Sequence, residues 1–121
     1  MSRDARFVVR DGAGNVVADR VQRADTALRR LLGYLPRATV PAGEGLWFEP
    51  CSAVHMLGMR TALDIVLLDR ERRVLRAEPD VRPGRLAVTA PRTRIVLELG
   101  PGTLRAHPLA AGDVLVLEPV Q

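Results

Sequence analysis

Leu63-Asp64-Ile65-Val66-Leu67-Leu68, Asp69-Arg70-Glu71-Arg72 and Arg73-Val74-Leu75-Arg76-Ala77-Glu78 follow one another without a break, and they decide the fold. Two apolar arms flank a four-residue polar turn, the pattern of a β-hairpin. In an extended arm Leu63, Ile65 and Leu67 share one face, while Asp64, Val66 and Leu68 share the other. Asp64 therefore sits among apolar neighbours, where a carboxylate needs hydrogen-bond donors or a counter-charge.

Upstream of the hairpin, Leu46-Trp47-Phe48 reads as a short strand stopped by Pro50, and Val54 to Met59 as a second extended piece. Downstream, Asp80 to Arg92 reads as a long polar crossover. Thr93 to Leu99 alternates at period two, except that Val96 breaks the polar set and predicts a strand covered on both faces. Gly100-Pro101-Gly102 turns the chain, Thr103 is placed to cap a helical turn reaching His107, and Val114 to Leu117 closes the domain as a strand. At the other end, Phe7 to Arg10 and Val16 to Ala18 flank the turn Asp11-Gly12-Ala13-Gly14-Asn15. Asp25 or Thr26 begins the single short helix expected in the N-terminal third, with Leu28, Leu31, Leu32 and Leu35 on one face and Gly33 closing it. About eight short strands, one helix and Gly/Pro corners predict a mainly β fold. The expected form is a small, jelly-roll-like β-sandwich or barrel over residues 1–121, a single domain.

Composition narrows the function classes. A chain of 121 residues with 47% hydrophobic residues can build one core, from Leu, Val, Ile and Ala, because Phe7, Tyr34, Trp47 and Phe48 are its only aromatics. The net charge is +4 and every basic residue is an arginine. An anionic partner that selects the guanidinium would explain this, but GC-rich codon usage is the preferred reading, since the arginines are spread along the chain. Nucleic acid is disfavoured as a partner, for too few aromatics are available to stack bases. Cys51 stands alone, so no intramolecular disulfide forms, and no apolar run approaches a membrane span. A soluble, cytoplasmic protein is the expectation.

Gly43-Glu44-Gly45-Leu46-Trp47-Phe48-Glu49-Pro50-Cys51, Val54-His55-Met56-Leu57-Gly58-Met59-Arg60 and Leu63-Asp64-Ile65-Val66-Leu67-Leu68-Asp69 form a more specific set. With Arg73-Val74-Leu75, Ile95-Val96-Leu97-Glu98-Leu99-Gly100-Pro101-Gly102 and Gly112-Asp113, they make the chain resemble domain of unknown function 192, an uncharacterised bacterial and archaeal family. The likeness runs from about Ala24 to Leu117. It departs at Met56 and Leu57, where the family often carries Thr and an aromatic, and at Arg72, where Gly is usual. The resemblance implies a compact β fold with one helix and implies no activity.

The preferred functional expectation is a non-catalytic domain that binds a small molecule or a protein at a cleft. That cleft would lie between the Gly43–Gly45 loop, the Cys51–Arg60 segment and Asp64. His55 and Asp64 would supply directed contacts, Arg60 an anion contact or Asp64's counter-charge, Trp47 and Met59 the apolar wall, and Cys51 a further contact. Each has a plainer reading as a core or ion-pair residue. An alternative is a hydrolytic or metal-assisted enzyme using His55, Asp64 and Cys51. One Cys and one His four residues apart are a weak start for a zinc shell, so no metal or cofactor is expected. A third reading makes Arg70, Arg72, Arg73 and Arg76 a surface for an anionic partner, against the simpler role of a solvated edge. His107 with Gly112-Asp113 resembles part of a cupin sequence, but two histidines cannot supply a cupin metal centre.

Overall fold

A computed structural model describes residues 5–24 and 33–120; the helix expected from Asp25 or Thr26 lies, up to Leu32, outside them. Nine strands are β1 (Phe7–Arg10), β2 (Val16–Arg23), β3 (Glu44–Phe48), β4 (Ala53–Val54), β5 (Leu63–Leu68), β6 (Val74–Val81), β7 (Val88–Thr89), β8 (Ile95–Leu99) and β9 (Val116–Pro119). A single turn, α1 (Thr103–Ala106), precedes β9. Seven strands form one mixed sheet in the order β6-β5-β8-β3-β2-β1-β9, and β4 pairs with β7. All neighbours in the large sheet are antiparallel except β2 and β3.

The central hairpin forms as read. Asp69 Oδ1 accepts the amides of Glu71 and Arg73, and Arg72 closes the turn in the left-handed region at φ 65°. The same device builds the first hairpin: Asp11 Oδ1 accepts the amides of Ala13 and Asn15. The Asn15 side-chain amide, more than any other contact, holds the Asp11 carboxyl down to about 2. The alternation in β5 divides two cores. Val66 and Leu68 join Trp47, Ile95, Leu97, Leu99 and Leu104 on the face toward α1. Leu63, Ile65 and Leu67 join Leu46, Phe48 and Val96 on the opposite face, under the loop residues Tyr34, Val40 and Met56 and under Val88 of β7. Both β5 and β8 are buried at every position, so the broken alternation at Val96 does mark a strand covered on both sides.

Several boundaries differ from the sequence expectation. The second arm of the hairpin runs on to Val81, through a region read as crossover, because a register shift between Leu63 and Ile65 absorbs an extra residue of β6. The Val54–Met59 piece is extended only at Ala53–Val54. Gly102, not Thr103, occupies the cap of α1; Thr103 instead donates its hydroxyl to the Gly100 carbonyl at 2.6 Å and accepts the Gly43 amide at 3.0 Å. The two edges of the large sheet meet at one point, where Arg73 bridges Val114, but the ladder does not continue around. The sheet is mainly β, mixed and unclosed.

Candidate functional site

The six residues expected to share a cleft are divided by the sheet itself. Trp47 and Asp64 face α1, whereas Cys51 and Met59 pack against the loop-side core, and His55 and Arg60 are exposed. Asp64 is 1% exposed. Its Oδ1 accepts the Asp80 amide at 2.8 Å and its Oδ2 the Leu104 amide at 2.9 Å. The extra residue in β6 frees that Asp80 amide from the ladder, and the carboxylate takes the place of the missing strand partner. Arg60 does not meet Asp64; its guanidinium donates to the Pro36 carbonyl at 3.4 Å.

The neighbouring groups are similarly occupied close to home. Trp47 Nε1 donates to Glu49 at 2.9 Å, Cys51 Sγ to the Ala53 carbonyl at 3.2 Å, and His55 Nδ1 accepts the Leu57 amide at 3.2 Å. Cys51, His55 and Asp64 therefore do not converge as a nucleophile–base set would require. Among the described residues, no three His, Cys, Asp or Glu side chains are grouped to hold a metal ion.

Nor do the hairpin arginines line up as one surface. Arg72 lies over the Trp47 ring, 5.4 Å from its centroid. Arg76 pairs with Glu78 at 3.3 Å, and Arg73 contributes the backbone bridge to Val114. Arg70 projects from the turn, 3.8 Å from Glu71. Arg92 and Arg94, from the turn before β8, stand beside it across a concavity of about 340 Å³. The Leu68–Ile95 pairing brings those two turns together, which the hairpin sequence could not reveal.

A second concavity, of about 290 Å³, opens on the loop side at the start of β3 and draws Arg6, Arg20, Gln22, Tyr34, Arg37 and Glu44 from four segments of chain. Parallel pairing sets Arg20 opposite Glu44 and Gln22 opposite Leu46, so these side chains share a face. Gly45 forms the floor, and a Cβ there would press on Leu99 and the Glu98 carbonyl. Arg37 forks onto Glu44 at 2.7 and 3.2 Å and lies 5.6 Å from the centroid of the Tyr34 ring. That paired carboxylate keeps the Arg37 guanidinium charged beyond its ordinary range. Tyr34 also hydrogen-bonds Glu44; burial first, then the charges of Glu44 and Glu98, push its phenol far up. Arg20 donates to the Ala42 carbonyl at 2.7 Å and pairs with Asp19 at 3.3 Å. Arg6 has no side-chain partner among the described residues.

Behind Tyr34 lies Glu98, 5% exposed, directly under Gly33 and the Phe48 ring. Among the described residues its Oε1 is buried with no donor, and burial raises its carboxyl to about 7. In the sequence the only trace of this concavity is the Gly43-Glu44-Gly45 loop, two of whose residues line it. The other contributors lack a motif because the sheet, not local spacing, assembles them.

Among the described residues no helix is long and apolar enough to cross a membrane. No curated protein matches the chain. Its fold is similar to that of a protein of unknown function from Novosphingobium aromaticivorans DSM 12444, at TM-score 0.75 and 24% identity over 91% of this chain and 82% of that one. It is also similar to a proposed transcription regulator from Sinorhizobium meliloti 1021, at TM-score 0.78 and 19% identity over 93% and 92% of the two chains. A hypothetical protein from Synechocystis matches at TM-score 0.58 and 14% identity; 95% of this chain is covered but only 19% of that one. At these identities the likeness concerns the fold alone. The sequence profile of DUF192, "Uncharacterized ACR", matches residues 8–117, and the chain belongs to that family.

Proposed function

We propose that this chain is a non-catalytic domain that binds a small anion, a carboxylate or phosphate, in the concavity bounded by Arg6, Arg20, Arg37 and Tyr34. One observation carries the reading: three arginines from separate segments border a single cavity in which, among the described residues, Glu44 is the one acid. Glu44 is already committed to Arg37 and Tyr34, so it shapes the wall while Arg6 and Arg20 retain donors for a guest. The curled sheet serves as a barrel-like or sandwich-like scaffold for one domain, and the single cysteine fits a cytoplasmic location.

Calorimetric titration at low salt with sulfate, inorganic phosphate and short dicarboxylates tests this. Arg6→Gln is the informative variant, since Arg6 supports no other described side chain. It is expected to weaken binding about tenfold, the value of one charge-assisted contact. Absence of binding at millimolar anion, or an Arg6→Gln variant that binds like the parent, overturns the proposal.

A second reading rests on Arg70, Arg92 and Arg94 around the other concavity, as a docking point for an acidic protein. It predicts binding that weakens steeply with salt and is lost in Arg92→Ala/Arg94→Ala.

A further inference from the structure

We propose that the arginine-bordered pocket takes up its anion together with a proton, held on Glu98. This rests on the anion-binding reading above and adds a linkage that reading does not require.

Gln22, Leu46, Glu98, Ile65 and Glu78 form one row across five strands, all on the loop-side face. Glu44 lies two residues from Leu46 on the strand next to Glu98, about 8 Å away by ordinary sheet spacing. Glu98 is thus a close neighbour of the pocket, separated from it by the Tyr34 side chain, which feels both carboxylates.

Among the described residues, the groups around Glu98 offer it no counter-charge. The capping turn presents Gly33 and Tyr34, whose phenol bonds Glu44. From β3 come Leu46 and Phe48, with Glu44 forked by Arg37. Ile65 comes from β5, and beyond it Glu78 of β6 is held by Arg76 and Arg85. No cation among the described residues pairs with Glu98, and one of its oxygens is buried without a donor. Burial alone disfavours its ionised form, with no charge offsetting it. An anion seated in the pocket adds a negative charge on the order of 10 Å away, on the protein side of which the low-dielectric core lies. The Glu98 carboxylate then takes a proton from solvent, and no other bond changes.

Sulfate is the probe, because it does not itself titrate near neutrality. Its affinity is expected to fall about tenfold from pH 6 to pH 8, the ratio a 10 Å interaction of this kind supports. Calorimetry in two buffers of different ionisation enthalpy should show uptake of a fraction of a proton near pH 7. Glu98→Gln should bind sulfate with an affinity independent of pH. In the parent protein, the ¹³C shift of the Glu98 carboxyl should titrate at higher pH when sulfate is present. Sulfate binding with no pH dependence, or the same dependence in Glu98→Gln, or an unmoved carboxyl titration, overturns the linkage and leaves the pocket reading standing. Failure to bind sulfate at any pH overturns both.

Discussion

Asp64 and Glu98 are both buried acids on paired strands, yet they face opposite cores and meet opposite fates. Asp64 spends both oxygens on backbone amides, from Asp80 and Leu104. Asp64→Ala is expected to cost about 3–5 kcal/mol, since two amides lose a charged acceptor in a buried place; urea unfolding measures it. Alternation in the sequence made Asp64 conspicuous, but could not say that its donors lie 16 and 40 residues further on. For Glu98 the broken alternation at Val96 predicts a strand covered on both faces, but nothing local announces the Gly33–Tyr34 turn that lies over it. Its folded carboxyl titrates near 7 against an ordinary 4.5, so the native state holds the extra proton between those values. Stability from this group is therefore full below about pH 4.5 and declines as pH rises through 7. Between pH 5 and pH 8 the loss is about 2 kcal/mol, and Glu98→Gln should abolish it in paired denaturation curves. A parent protein with the same pH dependence as Glu98→Gln would contradict the burial argument.

At the level of the element, the central hairpin was legible almost completely, since two apolar arms flank a four-residue polar turn. Its turn hides a compromise. Arg72 adopts φ 65°, a conformation that disfavours any side chain, yet its guanidinium covers the Trp47 ring at 5.4 Å. The strain costs about 1 kcal/mol and the cation–π contact returns about 0.5–1. Arg72→Gly, the residue the family commonly has here, loses both and should unfold within about 0.5 kcal/mol of the parent. Arg72→Ala keeps the strain without the contact and should fall about 1 kcal/mol below Arg72→Gly. Equal stabilities for the two variants would mean that the turn stores no strain. The length of β6 was less legible: Pro79 and Asp80 look like loop, and only the amide-accepting Asp64 across the hairpin lets the strand continue past them.

For the whole molecule, the mainly β class and the double covering of β8 followed from composition and pattern, whereas the order of strands did not. Patterns report which face of a strand is apolar, not which neighbour it finds; the parallel β2–β3 pair and the meeting of Arg73 with Val114 are facts of topology. The last strand shows what that topology does. β9 pairs along β1 at one edge. Just before it, Gly112 donates to the Val74 carbonyl, the Val74 amide to Asp113, and the Leu115 amide to Arg72 at the other edge. Leu115 is fully buried among residues of both halves. One segment thus holds the first hairpin and the central hairpin against a common core. A chain ending at Ala111 would lose the outer partner of β1, three hydrogen bonds at the far edge and a core leucine together. Since the cost of deleting Leu115 alone is about 2–5 kcal/mol and a domain of this size is stable by only about 5–15, the shortened chain should lack a cooperative urea transition. Near-ultraviolet circular dichroism from Trp47, whose ring is buried in that core, should collapse with it. A sigmoidal transition with the parent's signal would show that the two hairpins hold together through β3 and β8 alone.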